Sequence, residues 1–242
     1  MRQSMVFLIS LLFAFSAVQA QDESKRKKKS EINLSGRSND HLLVQFGYAG
    51  WSGAPDTINI KGLSTSFNAY FLFDFPFKTN PKMSAAIGAG IGSDNIKFKD
   101  TYVGIKDNTS TIAFTNKANA EHFKKTKLTN VYLEAPVELR YSSDPENNLK
   151  SFKVALGVKV GTMLLARVKN KTLENASGNT INDYVQKEAS KKFFNSTRVV
   201  GTLRVGYGPA SIFGNYQLSK LFKEGVAASI NPYTIGITLS GL

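Results

Sequence analysis

Residues 128–141 read LTNVYLEAPVELRY, and the placement of this stretch decides the fold. Val131, Leu133, Ala135, Val137, Leu139 and Tyr141 take every second position, and Asn130, Tyr132, Glu134, Pro136, Glu138 and Arg140 fill the gaps. A period of two marks a β-strand, whose successive side chains leave on opposite faces. One face is apolar throughout, while the other carries Glu134, Glu138 and Arg140. A soluble barrel turns its apolar face inward. Charges inside and an apolar exterior suit a strand crossing a bilayer.

Working outward, the same alternation predicts strands over 41–51, 64–77, 82–93, 128–141, 151–168, 196–207, 210–220 and 232–240. The second has the strongest stripe, with Phe67, Ala69, Phe71, Phe73, Phe75 and Phe77 on one face and Asp74 on the other. Connections after the second, fourth and sixth strands are short, at Thr79-Asn80-Pro81, 142–150 and Gly208-Pro209. Those after the first, third, fifth and seventh are long, and the polar stretches 94–127 and 169–194 read as loops. The expected fold is all-β: an eight-stranded antiparallel up-and-down transmembrane β-barrel with long extracellular loops and short periplasmic turns.

Upstream, Arg2 precedes an apolar run from Met5 to Val18, and Val18-Gln19-Ala20 forms a small-residue cleavage site. This reads as a secretory signal peptide over 1–20, cut after Ala20. Residues 21–40, centred on Lys25-Arg26-Lys27-Lys28-Lys29, read as a flexible basic periplasmic tail with little to bury. The barrel then takes 41–242, and the expected location is the outer membrane of a Gram-negative cell envelope.

Composition narrows the chemistry. The chain has no cysteine, which removes disulfides, thiolate metal sites and cysteine nucleophiles. Its two histidines, His41 and His122, are far apart in sequence, so no closely spaced histidine site for a metal is expected, and no cofactor is assigned. A net charge of +13 permits anionic partners, namely outer-membrane lipid and lipopolysaccharide phosphate or nucleic acid. Export and the want of a recognisable binding module disfavour nucleic acid. Lys124, Lys125, Lys127, Lys187, Lys191 and Lys192 are placed at the outer surface.

Eight strands enclose a space just wide enough for side chains, so inward charges are expected to neutralise one another. The interior network is assigned to Asp74, Glu134, Glu138, Arg140, Lys153, Lys159, Arg167, Arg198 and Arg204. A symmetric hairpin over 142–150 sets Glu134 near Lys159 and Glu138 beside Lys153, with a slip of two residues left open. Phe67, Phe71, Phe73, Phe75, Val131, Leu133, Val137 and Leu139 are assigned to lipid. Gly88, Gly90 and Gly92 leave room for Tyr70 and Tyr132, and Pro136, which removes a ladder donor, predicts a bulge or kink.

The segment YLEAPVELRY, 132–141, resembles the Tyr-Leu-Glu-x-Pro-x-x-Leu-x-Tyr signature of the PorT-like outer-membrane β-barrel family, and the resemblance extends over roughly 41–242. It implies the barrel fold. Members similar to this family include a component of the type IX secretion and gliding apparatus, and most have no assigned activity. The leading expectation is a non-enzymatic outer-membrane barrel whose loops engage surface glycolipid or an envelope partner. A subunit of a secretion or transport apparatus is the second, predicting a stable complex and an export defect on deletion. The third is a lipid-modifying enzyme dependent on His122. A soluble lipocalin-like binder remains as an alternative and requires the phenylalanine stripe to face a cavity.

Overall fold

Period-two alternation becomes strands over most of the chain. A computed structural model describes residues 41–61 and 63–240; the expected signal peptide, its cleavage after Ala20 and the basic segment 21–40 lie outside them. The strands are β1 (Leu42–Ser52), β2 (Thr65–Pro76), β3 (Met83–Phe98), β4 (Thr101–Gly104), β5 (Ala113–Asn116) and β6 (His122–Ser142). They continue with β7 (Phe152–Glu174), β8 (Thr180–Ala189), β9 (Thr197–Tyr207), β10 (Ala210–Gln217) and β11 (Asn231–Ser240). Among the described residues the one helical element is a 3-10 turn at Asn148–Lys150.

The main sheet is antiparallel and runs β6-β3-β2-β1-β11-β10-β9-β7-β8, and β6 also pairs with β7. Eight strands therefore form a ring of pairings, each with its neighbours in sequence along the ring, and β8 hangs from β7 outside it. Stepping across the ladders from Ser66 through Gly47, Gly236, Phe213, Arg204, Ala155, Arg140 and Ser84 returns to β2 at Pro76, ten residues along. That stagger, at about 3.3 Å per residue and about 4.8 Å between strands, tilts the strands by about 40°. The ring is uneven, since β6 and β7 have 21 and 23 residues and β10 has 8.

The outer face of the ring is apolar. Phe67, Phe71, Phe73, Phe75, Leu133, Val137 and Leu139 are all exposed, and Val131 is half-exposed. The phenylalanines point away from the interior, which removes the lipocalin-like alternative. From Val131 to Tyr141 the strand climbs about 25 Å along the ring axis at this tilt, the height of a lipid-facing band. Exposed Tyr141, Phe152 and Tyr207 lie at the end with the short turns, and exposed Tyr48 and Tyr216 towards the other. Aromatic girdles of this kind flank the apolar band of outer-membrane barrels.

Three expectations are corrected. The stretches 94–127 and 169–194 are largely strand, because β3, β6 and β7 run on past the apolar band, β8 is added to β7, and β4 and β5 pair with each other in a separate two-stranded sheet. There the polarity inverts: Ile96, Phe98, Leu128 and Val168 turn inward, while Lys97, Lys127 and Lys169 turn outward. The reason is solvent, since strands in water bury their apolar face. With Trp51, Phe194, Leu221 and Phe222 these residues build an aromatic-rich core at the long-loop end.

Secondly, Pro136 does not carry the bulge. The β6–β7 register shifts between Val131 and Tyr132, with Leu164 as the extra residue of β7. The pairing of β6 with β3 lapses beside Pro136, between Ile87↔Val137 and Gly90↔Glu134, and resumes in the same register, as expected where the amide donor is missing. Thirdly, Glu138 faces Gly157 rather than Lys153, and the hairpin takes the two-residue slip that the sequence leaves open, with Pro136 directly opposite Lys159.

Candidate functional site

Polar side chains on the inner faces of β2, β3, β6, β7 and β9 converge in two clusters. In the first, Arg198 Nε donates to Glu134 Oε1 at 2.6 Å and Arg198 Nη1 to Asp94 Oδ2 at 2.7 Å. The Tyr70 hydroxyl donates to the second oxygen of Glu134. Lys159 Nζ lies 3.3 Å from that hydroxyl and 3.4 Å from Gln45 Oε1. In the second cluster, Glu138 Oε2 accepts from Arg140 Nε at 2.9 Å and Arg204 Nη2 at 2.8 Å. Arg140 also stands 3.7 Å from Asp74, which accepts a hydrogen bond from Ser84 Oγ at 2.7 Å.

Each cluster sets two cations against two carboxylates. Burying an unpaired charge is costly, and pairing with full hydrogen bonding offsets the loss of water. Glycine makes the room. A Cβ on Gly92 would lie 2.6 Å from both Arg198 Nη2 and Glu134 Oε2, and one on Gly161 would lie 2.9 Å from Glu134 Cγ. The cavity left among Asp94, Glu134, Lys159 and Arg198 is about 20 Å³, space for about one water molecule.

Of the residues assigned to the interior, Glu134, Lys159 and Arg198 meet in one cluster and Asp74, Glu138, Arg140 and Arg204 in the other. Lys153 stands at the turn end opposite Ser142 and is half-buried. Arg167 faces outward, because the bulge at Leu164 reverses the phase of β7 above it. Asp94, Tyr70 and Gln45 were missed. Asp94 continues the inward alternation of β3 one step past where the strand was expected to stop.

The histidines sit apart from these clusters. His41 Nδ1 is 2.8 Å from the Leu72 carbonyl and its ring stacks on Phe71 at 5.3 Å. His122 is 3.4 Å from Asp100 and 3.0 Å from the Ala120 carbonyl. No group of three or more acidic or histidine side chains able to hold a metal occurs among the described residues.

At the long-loop end, several of the expected surface lysines are tied down. Lys124 pairs with Glu174 at 2.8 Å, and this hydrogen bond and charge hold its ammonium above the usual lysine range. Lys192 Nζ reaches the Thr109 carbonyl at 3.1 Å, and Lys191 Nζ the Met163 carbonyl at 3.4 Å.

Comparison with known families agrees with this geometry. The profile of a family described as outer membrane protein beta-barrel domain matches residues 13–226. No curated protein matches the chain.

Proposed function

Because the chain belongs to the outer membrane protein beta-barrel domain family and so resides in the outer membrane, we propose that it is a non-enzymatic barrel of eight membrane-crossing strands, sealed inside by paired charges. Its exposed end engages surface glycolipid or an envelope partner. The observation that carries this reading is the neutral pairing of Glu134, Asp94, Lys159 and Arg198 around a void of about 20 Å³. Such an interior offers no path for a solute. Reconstitution in a planar bilayer tests it: the reading expects no stepwise ionic conductance, and stable porin-sized openings would overturn it.

A second reading, a subunit of a secretion apparatus, rests on the likeness of 132–141 to the PorT-like signature. It is also supported by β8, which among the described residues pairs only with β7 and exposes Ile181, Tyr184 and Val185. An open, partly apolar edge can accept a strand from another chain. This reading predicts co-purification in a stable complex and an export defect on deletion.

A further inference from the structure

Above the apolar band the outward face of four adjacent strands carries lysine in one row across the ladders, which at the strand tilt of about 40° climbs about 3 Å from each strand to the next, from β3 to β8. Lys97 of β3 is directly opposite Lys127 of β6, Lys127 is opposite Lys169 of β7, and Lys169 is opposite Lys187 of β8. Like charges facing each other across a ladder are destabilising, so such a row calls for a counter-charge. The described residues do not supply one within the adjoining cleft of about 330 Å³, which Lys61, Lys97, Lys127, Lys169 and Lys171 line and to which no acidic residue among them contributes. The nearby carboxylate of Glu174 is engaged by Lys124, and Glu188 accepts from Gln186. One row closer to the membrane, Arg167 lies opposite Thr129, and its Nε is buried without a hydrogen-bond partner among the described residues.

The height of the row identifies the occupant. Lys127 is four residues beyond Val131 on β6, about 10 Å further along the ring axis at the strand tilt. The headgroup layer adds about 5–8 Å on each side of the hydrocarbon, so Lys97, one step lower at about 7 Å, stands within it and Lys127 a few Å above it, from where a long lysine side chain can reach down to headgroup phosphates. Lysine ammonium groups bind phosphate as compact point charges.

We infer that the Lys97–Lys127–Lys169–Lys187 row with Arg167 is a binding site for the phosphate groups of a phosphorylated glycolipid anchored in the outer leaflet. The inference deepens the proposed sealed barrel and rests on it.

The test uses the full chain in phosphatidylcholine nanodiscs, with retained lipid read by native mass spectrometry. Bis-phosphorylated lipid A is compared with the same glycolipid stripped of its phosphates. Wild type is expected to retain the phosphorylated form at least about tenfold better, since each lysine near a membrane surface contributes on the order of a fivefold gain. The triple variant Lys97→Gln, Lys127→Gln, Lys169→Gln is expected to lose that preference, and the corresponding Lys→Arg triple variant to keep it. Heat-dependent gel migration reports folding separately: a wild type without the shift fails the barrel reading itself. A folded Gln variant that retains lipid A like wild type, equal retention of the dephosphorylated lipid, or equally tight binding of free inorganic phosphate each overturns the site.

Discussion

The guanidinium of Arg198 lies 3.7 Å from the centre of the Tyr132 ring. Tyr132 is also a member of the aromatic-rich core at the long-loop end, so this stack marks the level at which the interior changes from ion pairs to hydrocarbon. Below it the ring holds its ion pairs inside, beside a small apolar cluster of Leu43, Leu72 and Ala86, and is apolar outside; above it the interior is apolar and the outside carries lysine. One chain thus folds as a membrane barrel for part of its height and as a water-soluble sheet for the rest.

Removing one carboxylate from a neutral cluster leaves a buried charge unmatched. Glu134→Ala strands part of Arg198 and Lys159, and breaking a buried pair costs about 3–5 kcal/mol. The expected result is a lower temperature for loss of the fast-migrating unboiled band on a gel.

Gly92 holds space for the same cluster. Gly92→Ala sets a methyl group 2.6 Å from two ends of a buried ion pair, and neither end can swing into water. Overpacking of this kind costs about 1–3 kcal/mol. Denaturant titration in detergent is expected to show the loss, while Gly178→Ala, where a Cβ meets nothing within 4 Å but φ is +81°, tests the backbone effect alone.

Trp51 is the single tryptophan and packs edge-on against Phe98 at 5.5 Å and Phe222 at 6.0 Å. Its emission is expected to be blue-shifted, and insensitive both to iodide in water and to brominated lipid. Phe222→Ala opens that cluster, at a cost of about 3–5 kcal/mol for a buried phenylalanine, and is expected to admit iodide.

Lys127 gives a pH dependence. Burial, followed by the charges of Lys169, Arg167 and Lys97, holds its ammonium below the usual lysine range. A lysine with a lowered folded pKa disfavours folding while protonated in both states. That penalty fades as pH rises through the folded value towards the unfolded value of about 10.4. The Lys127 contribution to stability is therefore expected to rise over that alkaline window, and Lys127→Gln to flatten the rise. Phosphorylated glycolipid, by adding negative charge, is expected to move the window upward.

Much of the lower ring was legible in the sequence because a membrane strand writes its two faces in opposite chemistries. The stripe from Phe67 to Phe75 and the alternation around Glu134 and Glu138 are cases in point. The upper ring was hidden. Its strands still alternate, as Ile96-Lys97-Phe98-Lys99 does, but dense lysine gave the look of loop. In β7 the bulge at Leu164 also broke the phase, which exchanged the sides of Arg167 and Val168. Asp94 was lost with the upper half of β3, and with it the second carboxylate that balances Arg198. The register of the 142–150 hairpin depends on how its turn is built, through Ser151 and the backbone amide of Asp144 at 3.0 Å, which alternation alone does not encode.

The central claim is that the apolar face of the ring meets lipid. The chain has no cysteine, so single cysteines at Leu133, Val137, Leu156 and Ile237 can carry nitroxide labels in reconstituted bilayers. The account predicts that lipid-dissolved oxygen relaxes all four labels strongly and that a water-soluble nickel complex does not. Strong relaxation by the nickel complex, or protection from both reagents, would contradict it.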